Sequence, residues 1–311
     1  MVRNRMRFAG TWYSADPANL SQSLDTLLRD AADRYRSDGG RNRDNRPLEA
    51  AILPHAGIDF SGQGMARGFL PLQEDVAAGN GPRRIVILAP SHYIQQPPDS
   101  ILTGYFESHE TPLGDIPGDR GTAMAAARKD SCVRDDDAIE REHAVEMFFP
   151  FVYSTSPSVP LSAYLVGPFS GTESLRRMAE SLYDPLWAGD GAGRTFFIIS
   201  SDFTHYGRRF GYEPFGSGMI PGVPDRVRSM DLRFAGLAAA GDVDGFFTAA
   251  QKERPTICGR NAILLYLALR QIAAERGEIG EESGRTVSYY TSADITGSSR
   301  DFVCYATVVF P

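Results

Sequence analysis

The apolar positions of the chain fall into two kinds of pattern. Four short runs, residues 50–53, 85–88, 163–166 and 196–199, are continuously apolar and rich in β-branched or aromatic residues. They lack the alternation of a strand with one wet face, so they predict strands buried on both sides of a sheet. Between them, residues 20–35, 122–128, 173–183 and 261–274 carry apolar positions at helical spacing. Strands interleaved with helices predict an α/β fold with a largely parallel central sheet flanked by helices. Residues 286–290 and 302–310 read as two longer strands added antiparallel at the end. Residues 37–47, 188–194 and 215–224 are crowded with Gly, Pro, Asn and Asp and read as loops inside one unit. No internal repeat or second core divides the chain, so residues 1–311 are expected to form a single domain.

A ligand of an open α/β sheet binds beyond the carboxyl ends of its strands. Pro54 and His55 come after the first run, Pro90, Ser91 and His92 after the second, and residues 200–207, with Asp202 and His205, after the fourth. There are only five histidines in 311 residues, so three at equivalent strand ends is a pattern rather than scatter. The prolines stop two of those strands sharply and hold the adjoining histidines in a fixed place. Imidazoles meeting on one sheet edge suit a metal, and a third protein ligand is usual. Asp202, His205, His143 and a cysteine are the candidates. Of the three cysteines, Cys132 and Cys304 read as core residues. Cys258 stands just before a helix, where the positive end of the dipole favours thiolate. His143 opens an amphipathic stretch with Glu142 and Glu146 nearby, and Pro150 is expected to end or kink it. His109, flanked by charge, reads as a solvated loop residue.

Composition narrows the partners. Lys and Arg total 32 against 39 Asp and Glu, a net charge of −7, which argues against a general nucleic-acid binder. Three cysteines without CxxC spacing cannot make a fully paired disulfide framework. The basic N-terminus does not lead into the ~7–15 apolar residues of a signal peptide, and no run approaches the ~20 needed to span a bilayer. These features predict a cytoplasmic protein that engages neither nucleic acid nor membrane. The chain has no P-loop, no GxSxG elbow and no HExxH motif. The glycine-rich residues 189–193 precede a strand, the wrong order for a dinucleotide fingerprint. Adjacent Ser91 and His92 make a triad with Asp202 geometrically awkward.

Several segments together carry a family resemblance: Ala9-Gly10-Thr11-Trp12-Tyr13, Pro54-His55-Ala56-Gly57, Pro90-Ser91-His92, Thr111-Pro112-Leu113-Gly114, Glu142-His143-Ala144-Val145-Glu146, Ser200-Ser201-Asp202-Phe203-Thr204-His205-Tyr206-Gly207 and Thr256-Ile257-Cys258-Gly259-Arg260. In order and spacing the chain resembles the Memo family, AmmeMemoRadiSam system protein B of bacteria and archaea. That family is similar in fold to class III extradiol ring-cleavage dioxygenases. The resemblance implies metal ligation by His55, His92 and Cys258. It gives His205 an acid/base role with Asp202 beside it, and makes Trp12, Phe60, His143 and Arg260 candidate substrate contacts. It implies Fe(II) or copper, with zinc as a further option, since thiolate in place of the dioxygenase carboxylate softens the site. Two functions arise as expectations. One is a dioxygenase-like oxidoreductase acting on a small, aromatic substrate. The other is a non-catalytic adaptor whose cleft holds a peptide or other anionic ligand. The family name implies a functional link to radical-SAM and AMMECR-type proteins; oligomeric state is left open.

Overall fold

A computed structural model describes residues 2–37, 46–188, 194–280 and 282–311. The loops expected at 37–47 and 188–194, with the glycine-rich residues 189–193, lie largely outside the described residues. The apolar runs form strands of one nine-stranded sheet: β1 (Ala50–Leu53), β2 (Arg84–Ala89), β3 (Ile101–Thr103), β4 (Cys132–Arg134), β5 (Leu161–Val166), β6 (Thr195–Ser200), β7 (His205–Tyr206), β8 (Arg285–Thr291) and β9 (Phe302–Phe310). The order is β7-β9-β1-β6-β2-β5-β3-β4, with β8 paired to β9 at one edge. β1, β6, β2 and β5 are mutually parallel, whereas β9 is antiparallel to β1, β7 and β8. The expected parallel centre and antiparallel C-terminal addition are both present.

Continuous apolarity is explained by two cores. Ile52, Val86, Leu88, Phe197 and Ile199 face one, covered by α5 (Thr172–Tyr183), α6 (Val223–Ala239), α7 (Val243–Glu253) and α8 (Arg260–Glu275). Their neighbours Ala51, Leu53, Ile85, Ile87 and Ile198 face the other, covered by α1 (Pro17–Ser37), α2 (Ile58–Ala77), α3 (His143–Glu146) and α4 (Phe149–Thr155). Successive strand residues point to opposite faces, so a strand sandwiched between helix layers has no polar position to offer. Truncating one of these buried aliphatics to Ala costs roughly 2–5 kcal/mol.

Several local expectations are corrected. Helix α2 has weak sequence support because it carries Gly62, Gly64, Gly68 and Pro71. Its glycines are packing devices: a Cβ at Gly62 would lie 2.7 Å from Leu27 Cδ1, and one at Gly64 2.8 Å from Pro54 Cγ. Pro150 does not end the helix that His143 opens. α3 stops at Glu146, and Pro150 sits in the first turn of α4, where its missing N–H costs nothing. His109 is not solvated. It lies in a short strand, Ser108–His109, 1 % exposed, between Asn4 Nδ2 and the Leu161 carbonyl, each 3.1 Å away. Burial pulls its pKa down to about 4. Among the described residues no helix is long and apolar enough to cross a membrane.

Candidate metal centre

β6 lies between β1 and β2, so its last residue, Ser200, sits between the loops that carry His55 and His92. His55 is 1 % exposed. Its Nδ1 is 2.6 Å from Ser200 Oγ, and that hydroxyl donates to the Ala144 carbonyl at 2.7 Å. With the hydroxyl proton committed, Ser200 accepts from His55, so Nδ1 carries the hydrogen and Nε2 keeps its lone pair. The His92 Nδ1 lies 2.8 Å from Glu142 Oε1, and its backbone N–H donates to Oε2 of the same buried carboxylate at 2.6 Å. A carboxylate accepts only, so His92 also presents Nε2. His205 repeats the arrangement with backbone acceptors, its Nδ1 lying 3.1 Å from the Phe203 carbonyl and 3.0 Å from that of Thr256. The three histidines thus each hold Nδ1 on oxygen acceptors, the arrangement that orients imidazoles as ligands or proton carriers.

His143, at the start of α3, completes a cluster. One ring nitrogen from each of His55, His92 and His143 lies within 4.8 Å of the others. Its Nδ1 is 3.1 Å from the Tyr93 hydroxyl and 3.2 Å from Glu142 Oε1. Burial first, and the neighbouring imidazoles second, hold His55 well below the usual histidine range. Burial likewise lowers His143 to about 4. Both are neutral at pH 7, the form that binds metal.

Cys258 Sγ is 3.2 Å from His55 Nε2 and accepts the Asp202 backbone N–H at 3.2 Å. The resemblance-based ligand thus touches one expected partner, while His143 joins the cluster that geometry selects. The thiolate expected from the helix start is not favoured by the surroundings of Cys258. Burial, and then the Asp202 charge, push the Cys258 thiol well above its ordinary value. Desolvation outweighs the helix dipole, and a metal would reverse the balance by bonding the thiolate directly. Asp202 uses its carboxylate on the backbone, Oδ1 accepting the His55 N–H at 2.8 Å. Burial raises its pKa, with His205 drawing it partly back down, and its carboxylate fixes the His55 backbone in place.

The family model described as Memo-like protein matches residues 4–309. The chain belongs to the Memo family. It is 28 % identical over 307 residues to a MEMO1 family protein of Thermococcus onnurineus, covering 97 % of each chain. It is 29 % identical over 312 residues to the protein memo-1 homolog of Caenorhabditis elegans, covering 97 % of this chain and 80 % of the relative. With protein MEMO1 of Xenopus tropicalis it shares 28 % over 267 residues, 82 % of this chain and 80 % of the relative.

In this Memo protein the wall around His143 is aromatic. The Trp12 ring centroid is 4.4 Å from that of His143, with Phe8 at 5.8 Å and Tyr93 at 5.7 Å. Trp12, one of the expected substrate contacts, thus packs against His143. The other two expected contacts have different neighbours. Phe60 is an exposed α2 residue whose carbonyl accepts from the Tyr290 hydroxyl at 2.7 Å, and exposed Arg260 donates to the Pro255 carbonyl at 3.3 Å. Sequence reasoning misses Ser200, Tyr93 and the supporting role of Glu142. Glu146 is visible in the sequence without its function. Its buried carboxylate accepts the Arg7 N–H at 2.7 Å, the Phe8 N–H at 2.8 Å and the Tyr13 hydroxyl at 2.7 Å. It thereby ties the N-terminal segment against the histidines. A readable signal exists for Ser200 alone: a polar residue closing an otherwise apolar strand.

Proposed function

We propose that this Memo-family protein is a metal-dependent, dioxygenase-like oxidoreductase of the non-haem iron or copper type, acting on a small aromatic substrate. The observation that supports this reading is the convergence of ring nitrogens from His55, His92 and His143 within 4.8 Å of one another. The donor set fits such an ion: the imidazoles of His55 and His92 are oriented with Nε2 unprotonated, and a softer thiol lies in contact. His55 and His92 would hold the metal, with His143 or Cys258 as third ligand. Fe(II) or copper bound there would supply Lewis acidity and one-electron chemistry. His205, with Nδ1 fixed on carbonyl oxygens, would accept a substrate proton at Nε2 and return it later. Phe8, Trp12 and Tyr93 would stack on a planar substrate and displace water from around His143. A shared pathway with radical-SAM and AMMECR-type proteins belongs to the same proposal.

Anaerobic loading with Fe(II), copper and zinc in turn, then elemental analysis and oxygen uptake with a panel of catechols, tests it. The expected result is near-stoichiometric metal, lost in His55→Ala, and oxygen uptake lost in His205→Ala with metal retained. Oxygen uptake no greater than that of the His205→Ala control would overturn the oxidoreductase reading. Hydrolysis supported by zinc alone would replace it with hydrolytic chemistry. Capture of an anionic peptide that survives His55→Ala/Cys258→Ala would favour the adaptor.

A further inference from the structure

Helix α6 turns an apolar stripe to the core through Val227, Met230, Phe234 and Ala235, and Asp231 stands in the middle of it, 0 % exposed. Among the described residues its partners are two hydroxyls, a thiol and a peptide N–H, and no cation. An apolar side chain would sit there at lower cost, so the buried charge calls for a role. Thr204 Oγ1 donates to Oδ1 at 2.6 Å, and the Tyr289 hydroxyl, from β8, donates to Oδ2 at 3.0 Å. The Cys304 thiol of β9 and the Thr204 N–H also donate to the carboxylate. Burial pushes the Asp231 pKa up to about 6 and these donors draw it back, so at neutral pH the group is ionised and only accepts.

Thr204 links this carboxylate to the histidine site. It is fully buried and lies between His205 and Phe203, whose carbonyl is 3.1 Å from His205 Nδ1. The Phe203 carbonyl and the Thr204 N–H belong to one planar peptide unit. Holding the N–H and the hydroxyl of Thr204 on Asp231 therefore fixes, on the other side of that plane, the oxygen offered to His205. β9 holds the same stretch, with Phe203 N–H on the Cys304 carbonyl at 2.8 Å and Cys304 N–H on that of Thr204 at 2.9 Å. From the other flank, Thr256 Oγ1 accepts the His205 N–H at 2.9 Å and donates to the His205 carbonyl at 2.8 Å.

We propose that Asp231 is a positioning residue for His205: acting through Thr204, it fixes the peptide that accepts Nδ1 and so keeps Nε2 of a partly exposed imidazole free for proton transfer. The use of that nitrogen in proton transfer rests on the oxidoreductase reading; the placement of the ring does not.

The chain has only five histidines, so nuclear magnetic resonance of the full chain with ¹⁵N-labelled imidazoles, at about pH 8, separates the rings, and His205→Ala identifies the signal of interest. In the parent, Nδ1 should carry the hydrogen. Thr204→Val keeps the shape and removes the hydroxyl, so the His205 signal should shift toward the average of the two tautomers while the other rings stay in place. Thr204→Ser, which retains the hydroxyl, should restore the parent position. Asp231→Leu completes the apolar stripe and removes the acceptor. It should give the same shift as Thr204→Val, and the double variant no more than either alone, since both break one contact. Tyr289→Phe takes a donor from the same carboxylate without touching Thr204, and should leave the signal where it is. An unmoved His205 signal in Thr204→Val overturns the proposal. So does an equal shift in Tyr289→Phe, because the response would then be a general loosening of the core. With Fe(II) and a catechol, Thr204→Val should lower kcat about tenfold at unchanged KM. A parent that takes up no oxygen, while Thr204→Val still moves the ring, would refute the oxidoreductase reading and support the placement.

Discussion

One buried carboxylate holds the N-terminal segment where it contributes to the aromatic wall of the site. Glu146 is 3 % exposed and accepts the Arg7 and Phe8 N–H groups and the Tyr13 hydroxyl, at 2.7, 2.8 and 2.7 Å. Burial raises its pKa, and those same donors draw it back down. Glu146→Gln keeps the shape and changes the acceptor count. Oriented to keep Phe8 and Tyr13 on its carbonyl oxygen, the amide turns its NH₂ toward the Arg7 N–H, leaving two donors face to face. An unmet buried N–H costs about 2 kcal/mol. If the loss falls on the segment alone, its open population rises roughly thirtyfold, since each 1.4 kcal/mol is tenfold. If it is felt globally, the melting point falls by about 3 °C, at roughly 2.1 cal/mol/K per residue. Hydrogen exchange at Arg7 and Phe8 measures the first outcome. Acrylamide quenching of Trp12 in a Trp187→Phe background reports the same release. Exchange protection and quenching both equal to the parent would refute the argument. The segment would then be held by its other anchors, Ile58 N–H on the Trp12 carbonyl at 3.0 Å and the Arg7–Glu140 ion pair.

Other expectations are open to measurement. Folded His109 has a pKa of about 4 against ~6.5 when unfolded, so the unfolded chain takes the proton first as the pH falls. Its contribution is whole above pH 6.5 and declines toward pH 4, by roughly 2–3 kcal/mol between pH 7 and 4.5. Urea unfolding should show that much less acid loss in His109→Gln, and parallel pH curves would disprove it. Glu142→Gln and Ser200→Ala should each weaken metal binding about 10–100-fold by releasing the Nδ1 of His92 and His55. Competition against a chelator reads both, and unchanged affinity would mean that those rings are not ligands. Gly259→Ala should displace the Cys258 loop and lower stability by about 1–3 kcal/mol. A Cβ there would collide with the Ser200 carbonyl oxygen and lie 2.5 Å from Ser201 Cβ. A stable variant with normal Cys258 alkylation kinetics would contradict this.

The fold is legible where burial is symmetrical. Residues 85–88 and 196–199 read as strands because both faces are covered, and the observed β2 and β6 extend each by one residue at either end. Helix α2 is not legible because its glycines and Pro71 oppose local propensity. Contacts with Leu27, Pro54 and Leu53 from other elements overcome that opposition. His109 misleads for the same reason in reverse. Its charged neighbours Glu107 and Glu110 suggest solvent, whereas pairing of residues 3–4 with 108–109 encloses the ring.

The histidine site divides along a similar line. The position of a strand end is a property of the strand, so His55, His92 and His205 are visible from the apolar runs that precede them. What turns those rings into oriented groups is supplied from elsewhere: Ser200 for His55 across 145 residues, Glu142 for His92 across 50, and the Thr256 carbonyl for His205 across 51. No local pattern matches such a partner to its ring, because a serine, a glutamate and a peptide carbonyl share nothing except an accepting oxygen. Periodicity can therefore locate the donors, but their tautomers, and with them the ligand chemistry, depend on tertiary contacts.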